Sequence, residues 1–231
     1  MLVMLATVSL FLLLVKLGFW QLSRAELKED LQSQLTSRQA AAPLSYRQLL
    51  SLPASEPLTG YRLSATVTPV GNKVFLLDNQ IFNGQVGYLA LQVMQVNPTA
   101  PWLLVELGFV PAGNDRRVLP KLPHINQPQP LTGRLYQKQA NPMSSDLLAE
   151  EGWPKRVQNL NISQIETSLN HPVALAVLQP ESIKGIDLPH PWQPIPLSAQ
   201  KHLGYALQWF SMAVAFALLV LYFIRVRIRK K

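Results

Sequence analysis

Apolar residues crowd two stretches at opposite ends of the chain, 2–20 and 206–224, while the sequence between them alternates and breaks like that of a water-soluble domain. A hydrocarbon core of roughly 30 Å needs about 20 helical residues. Both stretches meet that length, so the pattern predicts one folded domain tied to a membrane by both ends. Lys16 is the one charge in the first stretch and lies near its end, where a long side chain can snorkel to the interface. Leu17-Gly18-Phe19-Trp20-Gln21-Leu22 lacks the small-x-small pattern of a cleavage site, so the segment is expected to be a retained anchor rather than a signal peptide. No basic residue precedes it, which points to a start codon further upstream.

Beyond the first span the helix is expected to continue through Arg24, Lys28 and Leu31 as a solvated stalk, and Ser45 to cap a short helix over residues 46–50 that Pro53 ends. From Gly60 the period changes. Residues 61–67 alternate apolar and polar, as in a half-buried strand, and 74–77, 88–96, 102–110 and 131–137 predict further strands. Pro69-Val70-Gly71-Asn72, Asn97-Pro98 and Pro111-Ala112-Gly113-Asn114 supply turn chemistry between them. Residues 141–170 are expected to be helical or irregular, with Ser163-Gln164-Ile165-Glu166 as a capping box. A last strand over 173–177 leads into a proline-rich stretch, 180–196, that can continue neither ladder nor helix. The expected fold class is therefore α+β: two transmembrane helices at the termini flank a mostly antiparallel sheet, curled or closed into a small barrel, with a few short helices. Its divisions are 2–20 for the first span, 21–202 for the outer domain, 203–224 for the second span and 225–231 for a basic tail.

Charge sets the orientation. The chain carries +8, with 21 Lys and Arg against 13 Asp and Glu, and five of the positive charges fall in Arg225-Val226-Arg227-Ile228-Arg229-Lys230-Lys231. Basic residues beside a span mark the cytoplasmic side. Two spans then place both termini in the cytoplasm and the middle outside; in a bacterium this means an inner-membrane protein with a periplasmic domain. Residues 21–202 hold 15 basic and all 13 acidic residues, a net +2, so the high pI reports orientation and no nucleic-acid partner is expected. The absence of cysteine excludes disulfides, thiolate metal sites and cysteine nucleophiles.

The most specific sequence lies at the two junctions. Leu17-Gly18-Phe19-Trp20-Gln21-Leu22-Ser23-Arg24, followed by Lys28, leaves the first span, and His202-Leu203-Gly204-Tyr205-Ala206-Leu207-Gln208-Trp209-Phe210 enters the second. Between them stand Leu77-Asp78-Asn79-Gln80, Gly84-x-x-Gly87-Tyr88 and Leu104-Val105-Glu106-Leu107-Gly108-Phe109-Val110-Pro111. In this order, over nearly the whole chain, these blocks resemble the Surfeit locus 1 family of cytochrome oxidase assembly factors. The sequence departs from the family pattern at Glu106 and Leu107, where Asn-Arg is usual, at Phe109, where Trp is usual, and at Gln80, where Arg is usual. The resemblance implies a respiratory complex IV biogenesis role, a chaperone working with oxidase subunit I and other assembly factors. It also implies haem a binding through the histidine at the outer end of the second span, here His202.

On a helix His202, Tyr205 and Trp209 fall at i, i+3 and i+7, one face running into the membrane. Imidazole is an axial ligand for haem iron and an aromatic face packs against a porphyrin. The same residues also describe an interfacial belt that only fixes depth; the resemblance favours haem. Trp20, Gln21, Arg24 and Lys28 form a second ridge, with the two cations suited to propionates or to lipid phosphates. Gln208, inside the second span, is expected to bond to the first helix. His124, His171 and His190 each neighbour proline and are expected to be surface-loop residues, and Asp146, Glu150 and Glu151 to lie on a solvated helix face. No nucleophile elbow, phosphate-cradling glycine loop or metal-ligand spacing is present, so no enzyme is expected. Two functions remain: a haem a-handling assembly factor, or a two-span envelope scaffold that binds another membrane protein without a cofactor.

Overall fold

In the computed structural model all residues are described except 114, 139–143, 192, 196 and 230–231. The turn position Asn114, the expected start of the irregular stretch at Asn141, Pro196 and the last two tail lysines, Lys230 and Lys231, therefore lie outside the described residues. The chain forms an α+β fold that divides into two compact units: Met1–Gln34 with Ile195–Lys231, and Leu35–Pro194.

The first unit is built from α1 (Leu2–Ala40), up to Gln34, and α4 (Ala199–Arg229). Both helices are long and apolar enough to cross a membrane. Their apolar side chains stand exposed, among them Leu12 and Phe19 on α1 and Leu218 and Leu221 on α4, as expected where lipid and not protein is the solvent. The covered positions repeat every 4 and 3 residues: Thr7, Phe11, Leu14, Gly18 and Gln21 on α1; His202, Ala206, Trp209, Ala213, Phe216 and Val220 on α4. That is the seam of two helices packed in coiled-coil manner. Gly18 and Phe19 meet Phe210 while Gln21 meets His202, so the helices run antiparallel. Gly18 is required at the crossing, because a Cβ there would lie 2.6 Å from the Phe210 ring.

The second unit holds the sheet. β1 (Arg62–Phe82), β2 (Gln85–Gln95), β3 (Trp102–Pro111), β4 (Gln129–Tyr136), β5 (Lys155–Val157) and β6 (Val173–Pro180) lie in the order β2-β3-β6-β4-β1-β5. A further β1–β2 pairing closes β1, β2, β3, β6 and β4 into a ring. β3–β6 and β1–β5 are parallel and the other pairs antiparallel. β1 closes the ring because it is long enough to serve two neighbours: residues 62–67 pair with β4, and the remainder pairs with β2. The expected turn at 69–72 is in fact a register irregularity within this one strand, with Gly71 at φ +58°. Proline and glycine fit a bulge as well as a turn, and the bulge lets the strand bend around the barrel.

Strand residues are buried on both faces. Val74 and Leu76 of β1 join Tyr88, Ala90, Leu103, Val105 and Leu178 on one side. Phe75 and Leu77 join Leu89, Leu91, Leu104 and Val177 on the other. A short helix covers each side. α2 (Tyr46–Leu50), with the expected Ser45 capping box, delivers Tyr46 and Leu49 to the first cluster. α3 (Ile162–Leu169) delivers Ile165 and Leu169 to the second. Each leucine sealed in this way contributes about 1.5–3 kcal/mol relative to exposure. α3 is capped by Asn161, whose side chain accepts from the Gln164 N–H. Ser163 therefore lies inside the helix, and Glu166 accepts instead from the Val173 N–H. The acidic residues before α3 are on no helix: Glu150 pairs with Arg156, and Asp146 accepts from Gln164.

The glycine block between β1 and β2 has a structural explanation. Asn83 (φ +49°) and Gly84 (φ +76°) make a two-residue hairpin turn with both φ positive, the geometry whose twist matches its strands. Gly87 lies against β3, where a Cβ would sit 2.3 Å from the Val110 carbonyl oxygen.

Candidate functional site

The outer junction of the helix pair brings together two of the residues expected there. His202, 9 % exposed, hydrogen-bonds through Nδ1 to Gln21 Oε1 at 2.8 Å. An amide oxygen only accepts, so with the amide in this orientation Nδ1 is the donor, and in the neutral ring Nε2 is then the nitrogen with the lone pair. That arrangement leaves Nε2 as the ring nitrogen able to accept a further bond. Trp209 lies on the same covered side of α4, one helical repeat from His202. Tyr205 does not join them: it faces outward, 44 % exposed, because i+3 rotates past a seam that follows i+4 and i+7.

The α1 ridge divides similarly. Gln21 and Lys28 are partly covered, while Trp20 and Arg24 point outward with the Arg24 guanidinium 5.7 Å from the Trp20 ring centroid. Gln208 is exposed on α4 and is not the amide that ties the helices. Gln21 has that role, which the four-residue ridge hid because the sequence does not say which of its members faces α4. The structural order at this junction is therefore Gln21–His202 inside, with Trp20, Arg24 and Tyr205 outside.

A second polar group lies buried on the sheet, on residues the sequence did not single out as a site. Glu106 of β3 is fully buried. It accepts from Tyr136 Oη at 2.5 Å, from Gln179 Nε2 at 2.9 Å and from His190 Nδ1 at 2.6 Å. Arg134 Nε donates to Gln179 Oε1 at 2.5 Å, extending the group to the surface. Burial, then the Glu106 charge and hydrogen bond, push the Tyr136 phenol well above its ordinary value, with Arg134 opposing. Burial pushes the Arg134 guanidinium down against the pull of Glu106 and Tyr136. His190 is therefore no surface-loop residue. Together with the Phe109 N–H, which donates to the Pro189 carbonyl at 2.7 Å, it fastens the proline-rich segment to β3. Glu106 stands where the family pattern has asparagine, and its charge is matched by donors from three separate segments. Tyr136, Gln179 and His190 carry no local signal linking them to β3, since they lie 30, 73 and 84 residues away in sequence.

The remaining histidines lie apart from both groups. His171 stacks on Trp102 with ring centroids 3.9 Å apart, and His124 lies in the loop before β4. Among the described residues, no three His, Asp or Glu side chains gather as a metal site.

The comparisons with known proteins agree with the junction blocks. No curated protein matches the chain. The SURF1 family model matches residues 8–214, from within the first span to within the second. A match over nine-tenths of the chain, reaching into both apolar helices and taking in the whole sheet domain, means that the protein belongs to the SURF1 family, which is associated with cytochrome c oxidase assembly.

Proposed function

We propose that the protein is an inner-membrane assembly factor that handles haem a beside subunit I of a haem-copper cytochrome oxidase during its biogenesis. Its termini are cytoplasmic and its barrel periplasmic. The observation that carries the haem reading is the Gln21–His202 hydrogen bond, which leaves Nε2 of a mostly buried imidazole with a free lone pair at the outer end of a lipid-facing helix pair. The residues on the covered side fit the group in part: His202 would supply a nitrogen ligand to the iron, Trp209 an aromatic wall and Lys28 a cation for a propionate, while Arg24, Trp20 and Tyr205 face outward and would meet lipid headgroups. Haem, when bound, would supply an iron whose axial position can be exchanged. The chain's own contribution is orientation, because Gln21 fixes the tautomer and the seam holds the imidazole against α1. No bond of protein or substrate is broken in this role. Family membership supports an assembly factor over an enzyme.

The test is a visible spectrum and a pyridine haemochrome assay on protein purified from cells that make haem a. The expected result is co-purifying haem a that His202→Met loses. A colourless wild type from the same cells would refute the haem step and leave a two-span scaffold. For orientation, a periplasm-dependent reporter fused at Gln139 should be active and the same reporter at Lys231 silent; the reverse pattern overturns the topology.

A further inference from the structure

A cavity of about 500 Å³ opens on the barrel where β1, the end of β4 and the β5–α3 connection meet. Its volume is that of a small-ligand pocket. One wall is Asp78-Asn79-Gln80, at a register irregularity of β1 where Asn79 takes φ +56°. Gln158, which accepts from Asn79 Nδ2 at 3.0 Å, Asn159, Asn161 and Lys138 also line it.

The charges in this cavity are unevenly matched. The Asp78 carboxylate is engaged by the Arg116 guanidinium, by Gln158 Nε2 at 3.3 Å and by its neighbour's N–H, Asn79 N, at 2.7 Å. The Lys138 ammonium has a neutral partner, Gln80 Oε1 at 2.9 Å. Among the described residues no carboxylate lies within 4 Å of it. Burial lowers the Lys138 pKa, and the more distant Glu106 charge opposes that shift. An ammonium has three donors, and a partly desolvated one gains most from an anion.

We propose that this cavity binds a monocarboxylate, with the carboxylate on Lys138 and the adjoining amides and the apolar part of the ligand against Leu148 and Leu160. A single ammonium with neutral amide neighbours matches one negative charge. A phosphate dianion would call for more cations than this one ammonium. The carboxylate belongs either to a free small acid or to the C-terminus of a protein chain. The proposal is independent of the helix pair, so its failure leaves the haem reading untouched, and the reverse holds.

The experiment is ligand-observed saturation-transfer NMR on the full chain in lipid nanodiscs, with butanoate as the first probe and butan-1-ol as its uncharged counterpart. Butanoate should bind saturably, the alcohol should neither bind nor compete, and K138M should weaken butanoate at least tenfold while Lys138→Arg retains it. Acetyl-Ala-Ala-Leu with a free C-terminus is the second probe. If it displaces butanoate at a tenfold lower concentration the ligand is a chain terminus; if it does not displace butanoate the ligand is a free acid. Absence of saturable carboxylate binding, equal binding of the alcohol, or unchanged affinity in K138M would overturn the proposal. The comparison of acid with alcohol on the wild type decides the matter even if K138M fails to fold.

Discussion

The helix pair and the barrel each enclose a polar group in an apolar setting, and they do so in opposite ways. In the barrel, the Glu106 oxygens receive Tyr136, Gln179 and His190, so the group is closed on itself. At the outer end of the helix pair, Gln21 takes one nitrogen of His202 and leaves the other free to accept. A buried carboxylate that accepts from three donors on separate segments specifies which segments come together. A buried imidazole with one nitrogen engaged by Gln21 keeps a second nitrogen that can still accept. The difference teaches that burial alone does not separate a closed polar group from an open one; the count of partners does.

The largest expected effect tests the closed side. Glu106→Ala leaves a phenol, an amide and an imidazole without their acceptor inside the barrel. It should cost about 3–5 kcal/mol, measured as a fall in the urea midpoint of the outer domain at unchanged slope. A cost below about 1 kcal/mol would show that the group is not the closed support described here.

The same group can be probed by pH. Tyr136 is held well above its ordinary value of 10.0 by burial and Glu106, and Tyr46 is held above it by burial. In the unfolded chain both phenols ionise near pH 10, so there the folded state retains protons that the unfolded state loses. Their contribution is complete below that pH and is lost as the pH rises toward the folded values. Lys138 acts with the opposite sign, since its lowered value costs stability that is recovered as the pH rises. Urea midpoints from pH 8 to 11 should therefore fall on the alkaline side, and Tyr136→Phe should flatten the fall. A wild-type profile that rises there would mean the phenols are not the dominant groups.

The helix pair was far more legible in the sequence than the barrel's interior, for a physical reason. A helix face is set by residues three, four and seven apart, so the spans and the shared face of His202 and Trp209 follow from local spacing, though not that this face turns to α1. The Ser45 cap is local in the same sense. β5 is three residues long, Lys155–Val157, and exists only because β1 lies beside it, 80 residues away at each register pair. The Pro69-to-Asn72 bulge has the same residue chemistry as a turn, and only closure of the ring decides between them. His190 resembled any histidine beside a proline because its partner is on another strand. The local rule also misled where rotation matters by a single step: Tyr205 at i+3 leaves the seam that Ala206 at i+4 occupies.

A smaller effect is expected where the helices cross. Gly18→Val would drive a branched side chain into the Phe210 ring, which can turn but is already in edge contact with Phe19 at 5.3 Å. The expected cost is about 1–3 kcal/mol of helix association, read as lost proximity between probes placed on the two helices in bilayers. Undisturbed proximity would mean that the helices do not pack through this seam. The barrel should keep its urea midpoint, because Gly18 belongs to the other unit.

The smallest structural effect bears most directly on function. Gln21→Leu removes the acceptor of His202 Nδ1 and replaces it with an apolar side chain of similar length at a covered position of α1. Removal of one neutral hydrogen bond is worth about 0.5–1.5 kcal/mol, partly offset in lipid by the gain in apolar contact, so the fold and the association of the helices should barely change. The tautomer, however, is no longer fixed. In the wild type, ¹⁵N NMR of labelled histidine should show His202 protonated at Nδ1, and in the variant a mixture of both tautomers. If Nε2 of His202 is the metal-binding atom, the haem content of the variant should fall about 10–100-fold, as when a residue behind a metal ligand is lost, while stability hardly moves. Gln21→Glu keeps an acceptor at the same place and should restore most of that content. Equal loss in both variants would show that the amide acts through packing, and the contrast between an open and a closed polar group would then fail at its open end.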